Sequence, residues 1–144
     1  MNPDFEIRDF IDQDYEFLLK LWSLTDMGGK ERGDDLGVLH STIEAGGKLL
    51  VMINSDGRLI GSSWMSHDTR RIYIHHFAIH PDFQSKGLAR DLLNASMEYC
   101  KSLGLQIKLE VHQENTRDVG LYESAGFKKL EGYGVFIIRS PLNK

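Results

Sequence analysis

The sequence predicts a mixed α/β (α+β) fold, a mostly antiparallel sheet of about six or seven strands flanked by about four helices. Three observations carry that expectation. Short β-branched and aromatic runs, such as Leu49–Ile53 and Ile72–Ile79, are bounded by turn residues. Longer segments, above all Gly87–Leu103, repeat apolar residues at helical spacing. Strand and helix patterns interleave along all 144 residues without a repeat, a low-complexity tract or a linker. One domain covering residues 1–144 is the economical organisation.

In chain order, Phe5–Arg8 reads as a strand. Asp12 or Asp14 is placed to cap a helix carrying Tyr15, Leu18, Leu19 and Trp22 on one face. A polar, glycine-rich break at Met27–Gly33 precedes a second helix that starts at Asp34 or Asp35, buries Leu36, Leu39 and Ile43, and stops at Gly46-Gly47. Leu49–Ile53 and Leu59–Met65 form a hairpin around Asn54-Ser55-Asp56-Gly57, where Asp-Gly accepts positive φ. The strand Ile72–Ile79 ends at His80-Pro81, since proline cannot donate to a ladder. The third helix, Gly87–Leu103, sets Leu88, Leu92, Ala95 and Tyr99 in register and stops at Gly104. Ile107–Val111 is a strand with Glu110 on its polar face, and a short helix spans about Thr116–Ala125. Strands are expected again near Phe127–Leu130 and Val135–Ile138.

Composition excludes several classes. Apolar residues at 41% and charged residues at 26% are an ordinary globular balance. A formal charge of −4 gives no basic footprint for nucleic acid. The single cysteine, Cys100, forbids an intramolecular disulfide and falls inside the third helix as a small core residue. No apolar run approaches the ~20 residues that span a bilayer. These features fit a cytoplasmic protein with no membrane partner.

The informative segment runs from Ile79 to Arg90. A strand ends, a loop follows, and a helix opens with small residues at Gly87 and Ala89. The first turn of a helix presents unpaired N–H groups and the positive end of its dipole, which together favour an anion by roughly 0.3–1 kcal/mol. Small residues let phosphate approach that backbone. Neither Gly-Lys-Ser/Thr nor Gly-x-Gly-x-x-Gly is present, which removes the P-loop and dinucleotide readings.

The run Gln84-Ser85-Lys86-Gly87-Leu88-Ala89 resembles the Gln/Arg-x-x-Gly-x-Gly/Ala signature of the GCN5-related N-acetyltransferase superfamily. Downstream, Asn115 followed by Tyr122-Glu123-Ser124-Ala125-Gly126-Phe127 resembles the same family's Asn-x(6)-Tyr-Glu-x-x-Gly-Phe segment. The order of elements matches along nearly the whole chain. The resemblance implies that Gln84, Ser85, Lys86, Gly87, Leu88, Ala89 and Arg90 hold the pyrophosphate of acetyl-coenzyme A, with Asn115 also on the cofactor. It implies a bulge in the preceding strand, where Phe77, Ala78 and Ile79 meet the pantetheine arm and the Phe77 amide donates to the acetyl carbonyl. Such a preorganised donor is worth ~2.7–4 kcal/mol in a transition state. Asp118 departs from the pattern, standing where members often carry a small apolar residue. It either repels the cofactor phosphates or caps the short helix away from them.

Acetyl transfer to an amine requires a neutral nitrogen, a stabilised oxyanion and a proton for the departing thiolate. By resemblance, Tyr122 lies beside the coenzyme sulfur. A phenol near ~10 donating to a thiolate near ~8.5 works slightly uphill, by ~2 kcal/mol, so Tyr122 serves best as a hydrogen-bond donor. Glu110 is the candidate base, matching a glutamate in members that acetylate protein N-termini. The histidines His75, His76, His80 and His112 compete for that role, His76 foremost because it adjoins the expected bulge. No metal site is expected, since no zinc-type spacing surrounds them.

The acceptor is a primary amine, of a small molecule or a protein, and resemblance places its determinants in Trp22–Leu36 and Leu130–Val135. Asp26, Glu31, Asp34 and Asp35 against Lys30 and Arg32 give a mildly acidic rim suited to a cationic amine. The rival reading from another class is a non-catalytic acyl-coenzyme A sensor or scaffold. Exposed edge strands are compatible with a homodimer.

Overall fold

A computed structural model describes residues 4–27 and 33–140. The chain divides into two compact units, Met1–Glu110 and Val111–Lys144. Glu31, Lys30 and Arg32 of the expected acidic rim lie outside the described residues.

The first unit is a five-stranded sheet in the order β1 (Phe5–Asp9), β2 (Lys48–Asn54), β3 (Leu59–His67), β4 (Arg71–Ile79) and β5 (Gln106–Leu109). β1 to β4 are antiparallel neighbours, and β5 joins β4 in parallel. Helices α1 (Tyr15–Leu24) and α2 (Leu36–Glu44) precede β2, while α3 (Leu88–Leu103) forms the crossover that a parallel β4–β5 pair demands. Leu18, Leu21 and Trp22 of α1 and Leu39 of α2 share one core with Leu49, Val51, Leu59 and Trp64 of the sheet. Residues between these along β2, Leu50 and Met52, are buried as well, which is why that strand reads as an unbroken apolar run. A short 3₁₀ turn (Asp12–Asp14) leads into α1. Asp14 does occupy the N-cap of α1, but its carboxylate accepts from Arg8 at 2.8 and 2.9 Å and from the Ile11 amide, not from the helix. Asp35 caps α2 through the Val38 amide.

On α3 the buried stripe is Leu88, Leu92, Leu93, Ser96 and Cys100. Ala95 and Tyr99, expected on that face, sit beside it. Ser96 is tolerated inside because its hydroxyl meets the Leu92 carbonyl at 2.9 Å and Ser63 Oγ at 2.7 Å. Burial pushes the Cys100 thiol up to about 11, so it packs as an inert apolar group.

The second unit contains α4 (Thr116–Ser124). The strands expected at Phe127–Leu130 and Val135–Ile138 do not form, and the sheet has five strands where six or seven were expected. A strand exists through its ladder, and an isolated hairpin is marginal in water. Here Gly132 and Gly134 interrupt the run, and Val135, Phe136, Ile137 and Ile138 are exposed.

Candidate active site

β4 carries a β-bulge. Ser62 pairs with Ala78 and Trp64 with His75, so one residue of β3 faces two of β4. The bulged residue is His76, at φ +41. Its carbonyl accepts from the Ser62 hydroxyl at 2.7 Å, and Ser62 in turn accepts from Trp22 Nε1 at 2.9 Å. The parallel ladder between β4 and β5 runs from Arg71↔Gln106 to Ile74↔Leu109 and stops just before the bulge. Phe77, Ala78 and Ile79, the last residues of β4, are buried. The bulge bends β4, and its ladder with β5 ends at Ile74 and Leu109. Glu110 accordingly lies one residue past β5 instead of within it.

From Ile79 the chain turns through a 3₁₀ segment (Pro81–Phe83) capped by the His80 side chain. Gln84 Nε2 donates to the Ile79 carbonyl at 2.9 Å, tying the loop back to the end of β4. Ser85 at φ +63 and Gly87 at φ +81 are both left-handed, and α3 begins at the next residue. α3 opens on Gly87, which has no side chain to cap it, whereas Asp35 caps α2 and Asn115 caps α4. A Cβ built on Gly87 meets nothing within 4 Å. The start of α3 therefore offers amide donors, dipole and open space together, the requirements of a diphosphate cradle. Lys86 Nζ lies 5.6 Å from the Phe83 ring centre, which Arg58 also approaches at 5.7 Å, adding positive charge to this loop.

Around the bulge, α1, β3 and β4 gather an aromatic cluster. Trp22 and Trp64 stack at 5.8 Å, and the His76 ring lies 4.5 Å from the first and 5.1 Å from the second. His75 stacks on Tyr73 at 4.2 Å and meets Ser66 Oγ through Nε2 at 2.8 Å. Burial first, then the neighbouring His76, push the His75 imidazole down to about 4. Burial first, then a hydrogen bond and the charge of Glu110, raise Tyr73 above the usual phenol range. Glu110 is exposed and works as the partner of that hydroxyl.

In the second unit, Asn115 caps α4. Its Oδ1 accepts from the Asp118 amide at 3.2 Å, and its Nδ2 donates to Asp118 Oδ2 at 2.8 Å. The cap is thus made by Asn115, and the Asp118 carboxylate accepts from the Asn115 side-chain amide. Tyr122, one turn beyond Asp118, is buried. Burial first, and Asp118 second, raise its phenol above the usual range. The two units thus divide the expected residues: Phe77 to Ile79, Gln84 to Arg90 and Glu110 belong to the first, Asn115 and Tyr122 to the second.

Among the described residues no group of three or more His, Cys, Asp or Glu is arranged to hold a metal. No helix among them is long and apolar enough to cross a membrane. Sequence reasoning did not foresee Ser62 or Tyr73 in the site. The one signal for Ser62 was a pair of small hydroxyls, Ser62 and Ser63, between apolar residues of one strand.

A bulged strand is thus followed by a helix that opens on a glycine. The acetyltransferase (GNAT) family model matches residues 10–127, and the chain belongs to that family. A curated acetyltransferase of Pectobacterium atrosepticum is 24% identical over 127 residues, covering 88% of this chain and 89% of that one. The crystal structure of an acetyltransferase from Streptococcus agalactiae superposes with a TM-score of 0.80 at 18% identity, over 95% of this chain and 92% of that one. Glucosamine-6-phosphate N-acetyltransferase from Arabidopsis thaliana superposes at 0.76 with 16% identity, over 92% and 97%.

Proposed function

We propose that the protein is an N-acetyltransferase, one domain over residues 1–144, that moves the acetyl group of acetyl-coenzyme A to a primary amine by direct attack in a ternary complex. The observation that carries the reading is the start of α3. Left-handed Ser85 and Gly87 turn the chain into a helix that opens on a glycine, on the segment Gln84–Arg90 that matches the family signature. Acetyl-coenzyme A supplies the acetyl group as a thioester, and membership of the family makes it the co-substrate to test.

The chain's own residues have separate tasks. Gln84, Ser85, Lys86, Gly87, Leu88, Ala89 and Arg90 hold the diphosphate, with Asn115 on the cofactor side of α4. The backbone of Phe77, Ala78 and Ile79 takes the pantetheine arm, with the Phe77 amide as donor to the carbonyl oxygen. Tyr122 donates to the leaving thiolate. Its raised pKa makes it a firm hydrogen-bond donor and a poor source of a fully transferred proton. Glu110 and His76 are the two groups available to take the proton of the attacking amine. The acceptor is a cationic amine in solution, drawn by the carboxylates near α2, and the protein acts in the cytoplasm without nucleic acid, membrane or metal.

The test is an acetylation screen across free amines, peptides and aminoglycosides, read by thiol release. Turnover on an amine, lost or strongly reduced in Tyr122→Phe, is the expected result. Tight binding of acetyl-coenzyme A with no thiol release on any acceptor would make the protein an acyl-coenzyme A sensor. No binding at all would remove the reading.

A further inference from the structure

The reaction needs a group that takes the amine's proton, and the first unit contains a buried carboxylate–imidazole pair beside the bulge. Asp34, just ahead of α2, places Oδ2 2.8 Å from His76 Nε2, with the two side chains only 11% and 18% exposed. An ionised carboxylate only accepts, so Nε2 carries its hydrogen toward Asp34 and Nδ1 keeps the ring's lone pair. The ring is packed against Trp22 and Trp64, and the backbone of the same residue is fixed by Ser62 at its carbonyl. His76 directly precedes Phe77, whose amide is the proposed donor to the acetyl oxygen.

Holding a carboxylate and an imidazole in an aromatic core is a poor way to gain stability. Desolvation consumes most of the attraction, and apolar side chains of the same volume often serve as well or better. The left-handed backbone of His76 adds strain of order 1–3 kcal/mol. A buried pair on a strained bulge is where proton chemistry is expected. The titratable groups facing the His76 ring are Asp34 and His75. His75, pushed down to about 4 by burial and by His76, is neutral near pH ~7 and does not compete for the proton.

We infer that Asp34 is a positioning residue that holds His76 with Nδ1 as the proton acceptor for the attacking amine. This rests on the acetyl-transfer reading. The amine nitrogen forms its bond to the thioester carbonyl carbon, and the C–S electrons leave with sulfur. The N–H bond breaks onto His76 Nδ1, and the imidazolium, stabilised by Asp34, later returns the proton to solvent.

The experiment is the pH dependence of kcat/KM for wild type, Asp34→Asn, His76→Gln, Glu110→Gln and the Asp34→Asn/His76→Gln double variant. Asp34→Asn is expected to lower kcat about 10–100-fold, because the imidazolium loses its counter-charge. KM for acetyl-coenzyme A stays within about twofold. His76→Gln removes the limb, and the double variant is no slower than His76→Gln, because the pair acts as one unit. Asp34→Glu recovers part of the rate. An unchanged kcat in Asp34→Asn, or losses that multiply in the double variant, would reduce the pair to a tie between loop and sheet. Should Asp34→Asn not fold, retention of the limb in His76→Gln overturns the inference equally well. Loss of the limb in Glu110→Gln alone sinks the pair while leaving acetyl transfer intact. A wild type without turnover on any amine overturns both.

Discussion

The amide of Phe127 donates to the carbonyl of Tyr122 at 3.0 Å, while the two rings meet edge to face at 5.8 Å. With Gly126 donating to Glu123 at 3.1 Å, these bonds are the two of a Schellman cap, completed by its apolar contact. The segment Tyr-Glu-x-x-Gly-Phe is therefore a helix stop that also clamps the tyrosine ring. Gly126 holds φ +103, where a Cβ is penalised by about 1–2 kcal/mol. Gly126→Val is expected to lower Tm by several degrees and to reduce kcat more than the KM for acetyl-coenzyme A. A Tm equal to that of the wild type would show that the cap contributes nothing.

Tyr122→Phe keeps the ring packing and deletes the hydroxyl. A fall in kcat of about 10–100-fold with little change in KM is expected, since the donor acts only as the thiolate departs. Asp118→Asn removes a negative charge that helps raise the phenol. A phenolate absorbance titration should then show Tyr122 ionising at lower pH than in the parent protein.

Three tyrosines link stability to alkaline pH. Burial leads in raising Tyr73, Tyr99 and Tyr122, reinforced by Glu110, Cys100 and Asp118 respectively. In the unfolded chain each ionises near ~10. The native state holds these protons more tightly, so the stabilisation is complete below that value. It is lost as pH rises toward the folded-state values. Denaturant unfolding should give a lower midpoint at about pH 11 than at about pH 9, with part of the difference recovered in Tyr122→Phe.

At Gly87 space and backbone make different demands. No atom lies within 4 Å of a built Cβ, so a side chain there has room, but φ +81 is strained for any residue except glycine. Gly87→Trp should leave the protein folded and weaken acetyl-coenzyme A at least about tenfold in a calorimetric titration, because the indole covers the cradle. Equal affinity would remove the diphosphate from this position.

Ser62 is fully buried and joins α1 to the bulge, accepting from the Trp22 indole and donating to the His76 carbonyl. Ser62→Ala strands both groups, and a loss of about 2–4 kcal/mol is expected from two unpaired buried polar atoms. Chemical denaturation measures it directly.

Much of this was readable along the chain. The hairpin at Asn54–Gly57, the stop at Gly104, and the helix start at Gly87 are local matters, decided by φ preferences and the turn chemistry of a few adjacent residues. The bulge was expected from resemblance alone. Nothing in Ile72–Ile79 itself says that His76 is the extra residue, because a bulge is a mismatch in register with another strand. The strands expected at Phe127–Leu130 and Val135–Ile138 failed for a related reason. Their β-prone side chains are a local property, but a strand also needs a ladder partner.

The sequence by itself determined the family and singled out Gln84–Arg90 and Tyr122 as the residues to test, since each is written in contiguous residues whose backbone geometry is local. Only the tertiary structure decided that Asp34 meets His76 across 42 intervening steps of chain, that Ser62 anchors the bulge, and that Glu110 is the partner of Tyr73. Those contacts depend on which strand and helix faces come together. Packing sets that, and no short run of residues encodes it.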